Sequence, residues 1–281
     1  MGGKVAVITG ATTGIGQVAV EELARAGARL VLVARDRRRA EATLAMLPAA
    51  GAGLPHRFHL ADLSRMAEVR RVAGEIAAAE PRIDLLINNA GALFGRREVT
   101  DEGLERTFAT NHMAYFLLTE GLRERLLGSA PARIVNTASG AHRRAKLDFQ
   151  DLQSARDYSG FRVYSRSKLA NVLYTRELAR RLADTGVTAN CLHPGFVATR
   201  FGDASGGFFS PLIRLAKLAA LSPVEGAKTL VYLASSPDVA NVSGGYFDLC
   251  KQVEPSAAAR DDDAARRLWV ESEKLAGIAP G

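Results

Sequence analysis

The chain has 281 residues, 47% of them hydrophobic and 24% charged, which suits a globular protein with a large buried core. Its formal net charge is +7, but acids interrupt the basic residues and no aromatic-rich basic stripe forms, which argues against nucleic-acid binding and favours an anionic cofactor. Cys191 and Cys250 are the only cysteines, too few for a disulfide framework or a metal cluster, and they favour a reducing compartment.

The N-terminus leads directly into a strand-like run and carries no signal-peptide pattern. No uncharged apolar run reaches the ~20 residues that cross a bilayer. We therefore expect a cytoplasmic protein without a transmembrane segment.

Short apolar runs alternate with longer segments of helical period along the whole chain. The predicted strands are 4–9, 28–34, 56–61, 83–89, 132–138, 187–193 and 245–249, and the main helices are 14–28, 64–80, 101–126, 164–182 and about 261–277. Such alternation, with strands that are apolar throughout, predicts a parallel sheet covered on both faces. We expect one α/β domain over residues 1–281, a doubly wound (Rossmann) sheet of about seven strands with helices on both faces.

A glycine-rich turn, TGATTGIG, follows the first strand and opens the first helix. Gly10, Gly14 and Gly16 allow a tight turn and a close approach of the backbone to a ligand, and the N–H groups at the helix start favour a pyrophosphate. The spacing differs from the simple GxGxxG fingerprint, and the absence of GK[ST] excludes a Walker A triphosphatase. A purely structural turn is the alternative.

The end of the second strand bears on the choice of cofactor. An acid there favours NAD, whereas a basic residue suits the 2′-phosphate of NADP. The strand ends in Ala34, Arg35 and Asp36. Because a guanidinium can hold a phosphate with two parallel hydrogen bonds, we predict NADP(H) with Arg35 as the main contact, NAD(H) being possible. Alternatively, the arginines simply begin a solvated helix that Asp36 caps.

Tyr164 and Lys168 stand four residues apart on a predicted helix, so they share one face. A phenol normally ionises near ~10, and a nearby ammonium lowers that pKa, which would make the tyrosine a general acid or base for alcohol–carbonyl interconversion. The alternative is an exposed pair without function. Ser139 at the end of a strand and Asn111 inside a helical pattern favour the catalytic interpretation.

These motifs together resemble the short-chain dehydrogenase/reductase superfamily. TGATTGIG, ADL, NNAG, the Asn111 context, Ser139, YxxxK and HPG occur in the family's order, and LDFQDLQ, LHPGFVAT and the C-terminal segment resemble its retinol-dehydrogenase-like branch. The resemblance covers the whole chain. Retinoid-active members of the branch often carry an N-terminal membrane anchor. This sequence shows none, which disfavours a membrane-borne retinoid but not the chemistry.

The resemblance implies a catalytic tetrad. Tyr164 would exchange a proton with the substrate, and Lys168 would lower the pKa of Tyr164 and bind the nicotinamide ribose. Ser139 would position the carbonyl, and Asn111 would hold a water that relays protons to Lys168. No metal is implied.

It also implies the cofactor contacts. Asp62 and Leu63 would meet the adenine, and Asn89, Ala90 and Gly91 would pass under the adenosine ribose. Pro194 and Gly195, with Val197 and Thr199, would line the nicotinamide side. The cofactor-binding set also includes the turn and the catalytic pair: Gly10, Thr12, Thr13, Gly14, Ile15, Gly16, Arg35, Tyr164 and Lys168.

Two long connections, 139–161 and 199–223, follow strands on the side where ligands bind in such sheets. The second is predicted to cover the site, with Phe94 forming part of the opposite wall. The lid candidates are Phe201, Phe208, Phe209, Leu212, Ile213 and Leu215. Two alternatives are an amphipathic helix that packs on the domain and, with Arg214 and Lys217, contact with a membrane surface.

We therefore expect an NADP(H)-dependent oxidoreductase that interconverts a lipophilic or aromatic aldehyde or ketone and its alcohol. The alternatives are a non-catalytic NADP(H)-sensing protein of the same fold, and the same chemistry within a natural-product pathway. The resemblance implies a homodimer or homotetramer built through the helices of Asn111 and Tyr164, although the C-terminal helix could block one such surface.

Overall fold

The structure, a computed structural model, describes residues 1–50, 54–195 and 221–279. An eight-stranded sheet with the order β3-β2-β1-β4-β5-β6-β7-β8 forms its centre. Strands β1 to β7 run parallel, and β8 turns back antiparallel to β7. The strands are β1 Val5–Thr9, β2 Arg29–Ala34, β3 Arg57–Leu60, β4 Leu85–Asn88, β5 Ala132–Thr137, β6 Val187–His193, β7 Tyr246–Asp248 and β8 Lys251–Gln252. All seven predicted strands are confirmed.

Helices connect the strands and cover both faces of the sheet. They are α1 Gly14–Arg25, α2 Arg37–Met46, α3 Met66–Ala79, α4 Ala114–Leu127, α5 Gly160–Arg181, α6 Pro223–Ser235 and α7 Asp262–Ala276. The doubly wound α/β fold is therefore as predicted.

The core lies in two layers because successive strand residues point to opposite faces. Val7 of β1 faces the layer that α3, α4, α5 and α7 cover. Its neighbours Ala6 and Ile8 face the layer that α1 and α6 cover. Both sets are fully buried, which explains why the strands read as continuous apolar runs.

The long helix predicted over 101–126 begins later and is irregular. Gly103 has a φ of +81°, and the Glu105 carboxylate accepts hydrogen bonds from Thr107 N and Phe108 N as an N-terminal cap. A helical turn Arg106–Phe108 and a π-helical turn Ala109–Met113 then lead into α4. Such π-turns often mark functional sites, and this one contains Asn111.

Helix α6 was absent from the sequence prediction, although its start carries a clear signal. Ser222 and Glu225 form a reciprocal capping box, and Pro223 occupies the first turn. Hairpin strand β8 was also missed, because two exposed residues give no pattern.

The predicted C-terminal helix, α7, lies against α4 and α5. The Trp269 ring stacks on Tyr174 at 5.7 Å and meets Phe116 edge-on at 5.1 Å. Asp262 accepts a hydrogen bond from Arg176 at 2.9 Å. This face of the two long helices is thus covered from within the chain. Of the helices in the described ranges, none is both long and apolar enough to span a bilayer.

Candidate active site

The carboxyl ends of β1 and β4 are joined by a short hydrogen-bond network. The Thr9 hydroxyl accepts from Asn89 N at 2.9 Å and Ala90 N at 3.0 Å, while Asn89 Nδ2 donates to the Thr9 and Gly10 carbonyls at 3.2 Å. Gly10 has a φ of +68°, and a Cβ on it would lie 2.8 Å from Ala90 Cα. The first loop therefore passes closely over the NNAG segment.

The glycine turn presents free donors at the start of α1. Gly14 adopts a φ of +58°, and a Cβ on Gly16 would lie 2.1 Å from the Gly10 carbonyl oxygen. Thr13 occupies the N-cap position without a side-chain capping bond, and the first turn holds no acid. Its N–H groups are thus left for an anion, and Thr12 and Ile15 lie half-buried beside them. This arrangement fits a dinucleotide phosphate.

Arg35 and Asp62 lie at the carboxyl ends of β2 and β3. The Arg35 side chain is exposed, whereas Asp62 is half-buried and accepts from Ser64 N at 3.0 Å and Ser64 Oγ at 2.8 Å. Burial acts to raise the pKa of Asp62, but the Ser64 hydrogen bonds and the charges of Arg35 and Arg106 outweigh it, so the pKa is lowered. Asp36 caps α2 by accepting from Arg39 N at 3.1 Å, as the alternative interpretation of this segment predicted. Arg35 precedes that cap and lies outside the helix.

Ser139 and Tyr164 meet where β5 ends. The Ser139 hydroxyl follows the strand, accepts from Ala141 N at 3.2 Å and lies beside the Tyr164 phenol, whose pKa it acts to lower. Burial raises the pKa of Tyr164 to about 12, and the nearby Ser139 hydroxyl opposes this only in part.

Lys168 lies one helical turn after Tyr164, with 2% of its surface exposed. Its Nζ donates to the Thr137 carbonyl at 2.9 Å and lies 5.7 Å from the ring centres of both Tyr164 and Tyr115. Burial lowers the pKa of Lys168 to about 7.

The expected lowering of the Tyr164 pKa is therefore not observed in the chain alone. Burial disfavours the charged form of both groups, and a half-protonated lysine supplies only part of a positive charge at neutral pH. The two side chains nevertheless share one helical face, as the i, i+4 spacing predicts.

Asn111 is fixed by its side-chain amide. Nδ2 donates to the Ala92 carbonyl and to Ser167 Oγ, both at 2.9 Å, while Oδ1 accepts from Ala92 N at 2.8 Å. A Cβ on Gly91 would lie 3.4 Å from both Asn111 Oδ1 and Lys168 Nζ, so these two groups line the same point. The amide thus clamps the loop after β4 beside the buried ammonium. The water-mediated relay stays a prediction.

Comparisons with known proteins agree with this arrangement. Residues 4–206 match the family model described as short chain dehydrogenase. The chain belongs to the short chain dehydrogenase family. It is 44% identical to retinol dehydrogenase 14 of Mus musculus, over 99% of this chain and 87% of that protein.

Two solved structures show the same fold. An uncharacterised protein from Mycobacterium paratuberculosis superposes with a TM-score of 0.80 at 31% identity, covering 99% of this chain and 94% of its own. RhlG of Pseudomonas aeruginosa, in an active-site complex with NADP, gives a TM-score of 0.70 at 28% identity, covering 88% and 94%. This short chain dehydrogenase is thus a retinol-dehydrogenase-like oxidoreductase of CH–OH and C=O groups, in a family that uses NAD(P)(H).

The residues of this short chain dehydrogenase fit a nicotinamide dinucleotide. The buried Lys168 ammonium has three N–H donors, and within the described residues its hydrogen-bond acceptor is the Thr137 carbonyl. Two donors remain for hydroxyl groups such as those of a ribose. The open N–H groups of α1 lie at the same edge of the sheet.

Several supporting residues were missed. Thr9 joins the first and fourth strands, and Tyr115 donates from its hydroxyl to the Ala90 carbonyl at 2.8 Å. Asn171 Nδ2 shares the Thr137 carbonyl with Lys168, at 3.3 Å. Tyr115 stands four residues after Asn111, so helical spacing was a usable signal. Asn171 stands three residues after Lys168 on the same helix and carries the same kind of signal, whereas Thr9 carries none.

Other predicted positions have mixed outcomes. Pro194 and Gly195 follow β6, and a Cβ on Gly195, where φ is +81°, would lie 2.4 Å from Leu221 Cδ1. Val197, Thr199 and the six lid candidates lie outside the described residues. The Phe94 ring is only 7% exposed and lies under the Arg106 guanidinium at 4.4 Å, so it is packed within the protein and is not an open wall.

Proposed function

We propose that this protein is an NADP(H)-dependent oxidoreductase that interconverts a lipophilic or aromatic aldehyde or ketone and its alcohol. The proximity of the Ser139 hydroxyl to the Tyr164 phenol, with buried Lys168 one turn further along α5, carries the proposal. These groups surround one point at the carboxyl edge of the sheet, where open α/β sheets bind ligands.

The preference for NADP(H) rests on Arg35. This exposed guanidinium follows β2, where a dinucleotide fold receives the adenosine ribose. The acids beside it are already engaged, because Asp36 accepts from Arg39 N and Asp62 accepts from Ser64. A 2′-phosphate would supply Arg35 with an anionic partner. The NADP complex of the relative RhlG is consistent with this choice.

In the reduction direction, Tyr164 acts as the general acid. The bound cofactor supplies a hydride to the carbonyl carbon. With a pKa of about 12, the phenol keeps its proton at neutral pH, yet it is a much stronger acid than the alcohol that forms. Ser139 donates a second hydrogen bond to the substrate oxygen and so aligns it with the phenol.

Lys168 and Asn111 support this step. Lys168 binds the nicotinamide ribose and, when protonated, stabilises the phenolate that remains after proton transfer. Asn111 keeps the loop after β4 in place next to that ammonium. In the oxidation direction Tyr164 must first lose its proton, so its high pKa favours carbonyl reduction near neutral pH.

The substrate class rests on apolar surface near the phenol. Phe161 lies one turn before Tyr164, is 60% exposed, and its ring centre lies 6.5 Å from that of Tyr164. The name of the mouse relative, retinol dehydrogenase 14, refers to a lipophilic alcohol. An apolar carbonyl compound would bury Phe161 against the site.

The remaining expectations belong to the same proposal. We propose one catalytic domain with a substrate loop at about 199–223, a cytoplasmic location and a homo-oligomer that does not use the helix face covered by α7. The non-catalytic sensor finds no support, since the four tetrad residues lie together and the named relatives are dehydrogenases.

A substrate panel tests the function. Purified protein is given NADPH or NADH with an aromatic aldehyde, a long-chain aldehyde and glyceraldehyde as a short polar control. We expect oxidation of NADPH with the first two and at least tenfold lower kcat/KM with glyceraldehyde. Equal activity on all three would contradict the lipophilic substrate, and no turnover with either cofactor would contradict the function.

A further inference from the structure

A buried histidine stands directly behind the catalytic serine. His142 lies in the 3₁₀ turn Gly140–Arg144, three residues after Ser139, within the basic stretch GAHRR. Its side chain is fully buried, unlike those of its neighbours Arg143 and Arg144. The tetrad does not use this residue.

Two contacts fix the proton on the His142 ring. Ser256 N, a backbone amide that can only donate, points at Nε2 at 3.2 Å. Nε2 must therefore be the bare nitrogen, and Nδ1 carries the hydrogen that it donates to the Ser139 carbonyl at 2.7 Å. The same carbonyl also accepts from His142 N at 3.2 Å.

Packing against β7, with β6 close to the neighbouring Gly140, helps to hold the ring in this position. The Tyr246 ring of β7 meets it edge-on at 4.8 Å. His193 of β6 packs against the neighbouring Gly140, where a Cβ would lie 3.1 Å from His193 Nε2. The imidazole thus joins the end of β5 to the segment that precedes α7.

We propose that His142 is a positioning residue for Ser139: its neutral imidazole, bridging the Ser139 carbonyl and the Ser256 amide, fixes the backbone from which the Ser139 hydroxyl reaches Tyr164. The inference deepens the proposed function and rests on it. Residues as distant as Ser256 then contribute to the alignment of the reacting oxygen.

The clamp depends on pH. Among the residues that the structure describes, Arg143 of the same turn, His193 of β6 and Tyr246 of β7 are the titratable or charged groups that face His142. Burial lowers the pKa of His142, the Ser139 carbonyl opposes this, and Arg143 and His193 add to the lowering. Protonation would place an Nε2–H against the Ser256 N–H, so the bridge opens at acidic pH.

Three variants separate positioning from simple packing. His142→Asn places an amide nitrogen near Nδ1 and keeps a donor for the Ser139 carbonyl. His142→Gln reaches towards Ser256 with its oxygen but removes the Nδ1 donor, and His142→Leu removes both functions. We expect kcat to fall 10- to 100-fold in the Gln and Leu variants. The Asn variant should have a kcat at least tenfold higher than those two variants. All three variants should bind NADPH with dissociation constants within about threefold of wild type.

The pH profile of kcat and the NMR signals of the ring complete the test. The kcat of wild type should fall at acidic pH, and the Gln variant should not show this acidic decrease. Independently of turnover, ¹⁵N signals of wild type, assigned by comparison with His142→Asn, should show an Nδ1–H tautomer that titrates below the usual histidine range. Equal losses in the Asn and Gln variants, an Nε2–H tautomer, or unchanged kcat in His142→Leu would overturn the proposal. If the wild-type protein shows the expected tautomer but reduces none of the carbonyl compounds, the result would instead count against the proposed function.

Discussion

Lys168 Nζ lies 5.7 Å from the centre of the Tyr164 ring, and both groups are disfavoured in their charged forms by burial. The pKa of the phenol rises to about 12 while that of the ammonium falls to about 7. The pair therefore differs from a phenol activated by a fully charged neighbour. It holds a protonated acid ready for carbonyl reduction, beside a lysine whose charge responds to small changes around neutral pH.

The two directions of the reaction should differ in their response to pH. Because the raised pKa keeps Tyr164 protonated, carbonyl reduction should not gain from a rise in pH between 6 and 8, and it should decline above pH 7 as Lys168, with a pKa of about 7, loses its proton. Alcohol oxidation needs the phenolate and should rise by about tenfold per pH unit while the pH stays below the pKa. Initial rates in both directions, at saturating cofactor, measure this. Oxidation that slows as the pH rises from 7 to 9 would be inconsistent with Tyr164 as the base.

Burial of the Lys168 side chain should lower the stability of the fold. Its folded pKa of about 7 lies below the ordinary 10.5, so the unfolded chain binds more protons between these values. Stability then rises with pH across that window, and the lysine is least favourable at and below pH 7. Lys168→Met should raise the free energy of unfolding at pH 7 by on the order of 3 kcal/mol, while turnover is lost.

Urea unfolding at pH 7 and pH 10 measures this effect. Lys251→Met, at an exposed position of β8, is the control and should change little. A Lys168→Met protein less stable than wild type at pH 7 would mean that the ammonium contributes more by its contacts than its burial costs.

Arg35→Ala should weaken NADPH binding and leave NADH binding nearly unchanged. Loss of a charge-assisted contact to phosphate corresponds to roughly a 10- to 100-fold rise in the dissociation constant. Arg37→Ala is a matched control, because that guanidinium already pairs with Glu41 at 3.6 Å and lies over Phe58. An unchanged preference in Arg35→Ala, or a wild type that binds NADH as tightly as NADPH, would refute the assignment.

The hairpin between β7 and β8 carries backbone strain that a substitution should relieve. Leu249 and Cys250 form its two-residue turn with φ values of +48° and +61°, a region that favours glycine and asparagine. Leu249 is 69% exposed, so Leu249→Asn removes little packing and should stabilise the protein by about 1 kcal/mol. Leu249→Val is the reverse control, since a β-branched residue disfavours this conformation. In thermal unfolding, the Asn variant should have the highest melting temperature, wild type an intermediate one and the Val variant the lowest.

Local patterns predicted most of the fold. Strands such as Leu30–Val33 are apolar at every position because both faces of the sheet are covered, and this can be read directly from the sequence. The start of the Asn111 helix was misplaced because Glu105 sits where helical periodicity continues and only its capping contacts reveal the boundary.

The supporting contacts of the site could not be read in the same way. Thr9 binds Asn89 across 80 positions, and His142 meets Ser256 across 114 positions, so no local spacing relates the partners. The tetrad could be anticipated from its resemblance to a known family. The direction of the pKa changes could not, because it depends on how deeply Tyr164 and Lys168 are buried.

The most direct test of the account compares wild type with Tyr164→Phe in NADPH-dependent reduction of an aromatic aldehyde, with NADPH affinity measured on the same samples. The phenylalanine keeps the ring beside Lys168 and removes only the proton donor. We predict a fall in kcat of about 100- to 10,000-fold with NADPH affinity within about threefold of wild type. A Tyr164→Phe protein that reduces the aldehyde at the wild-type rate would contradict the assignment of Tyr164 as the general acid.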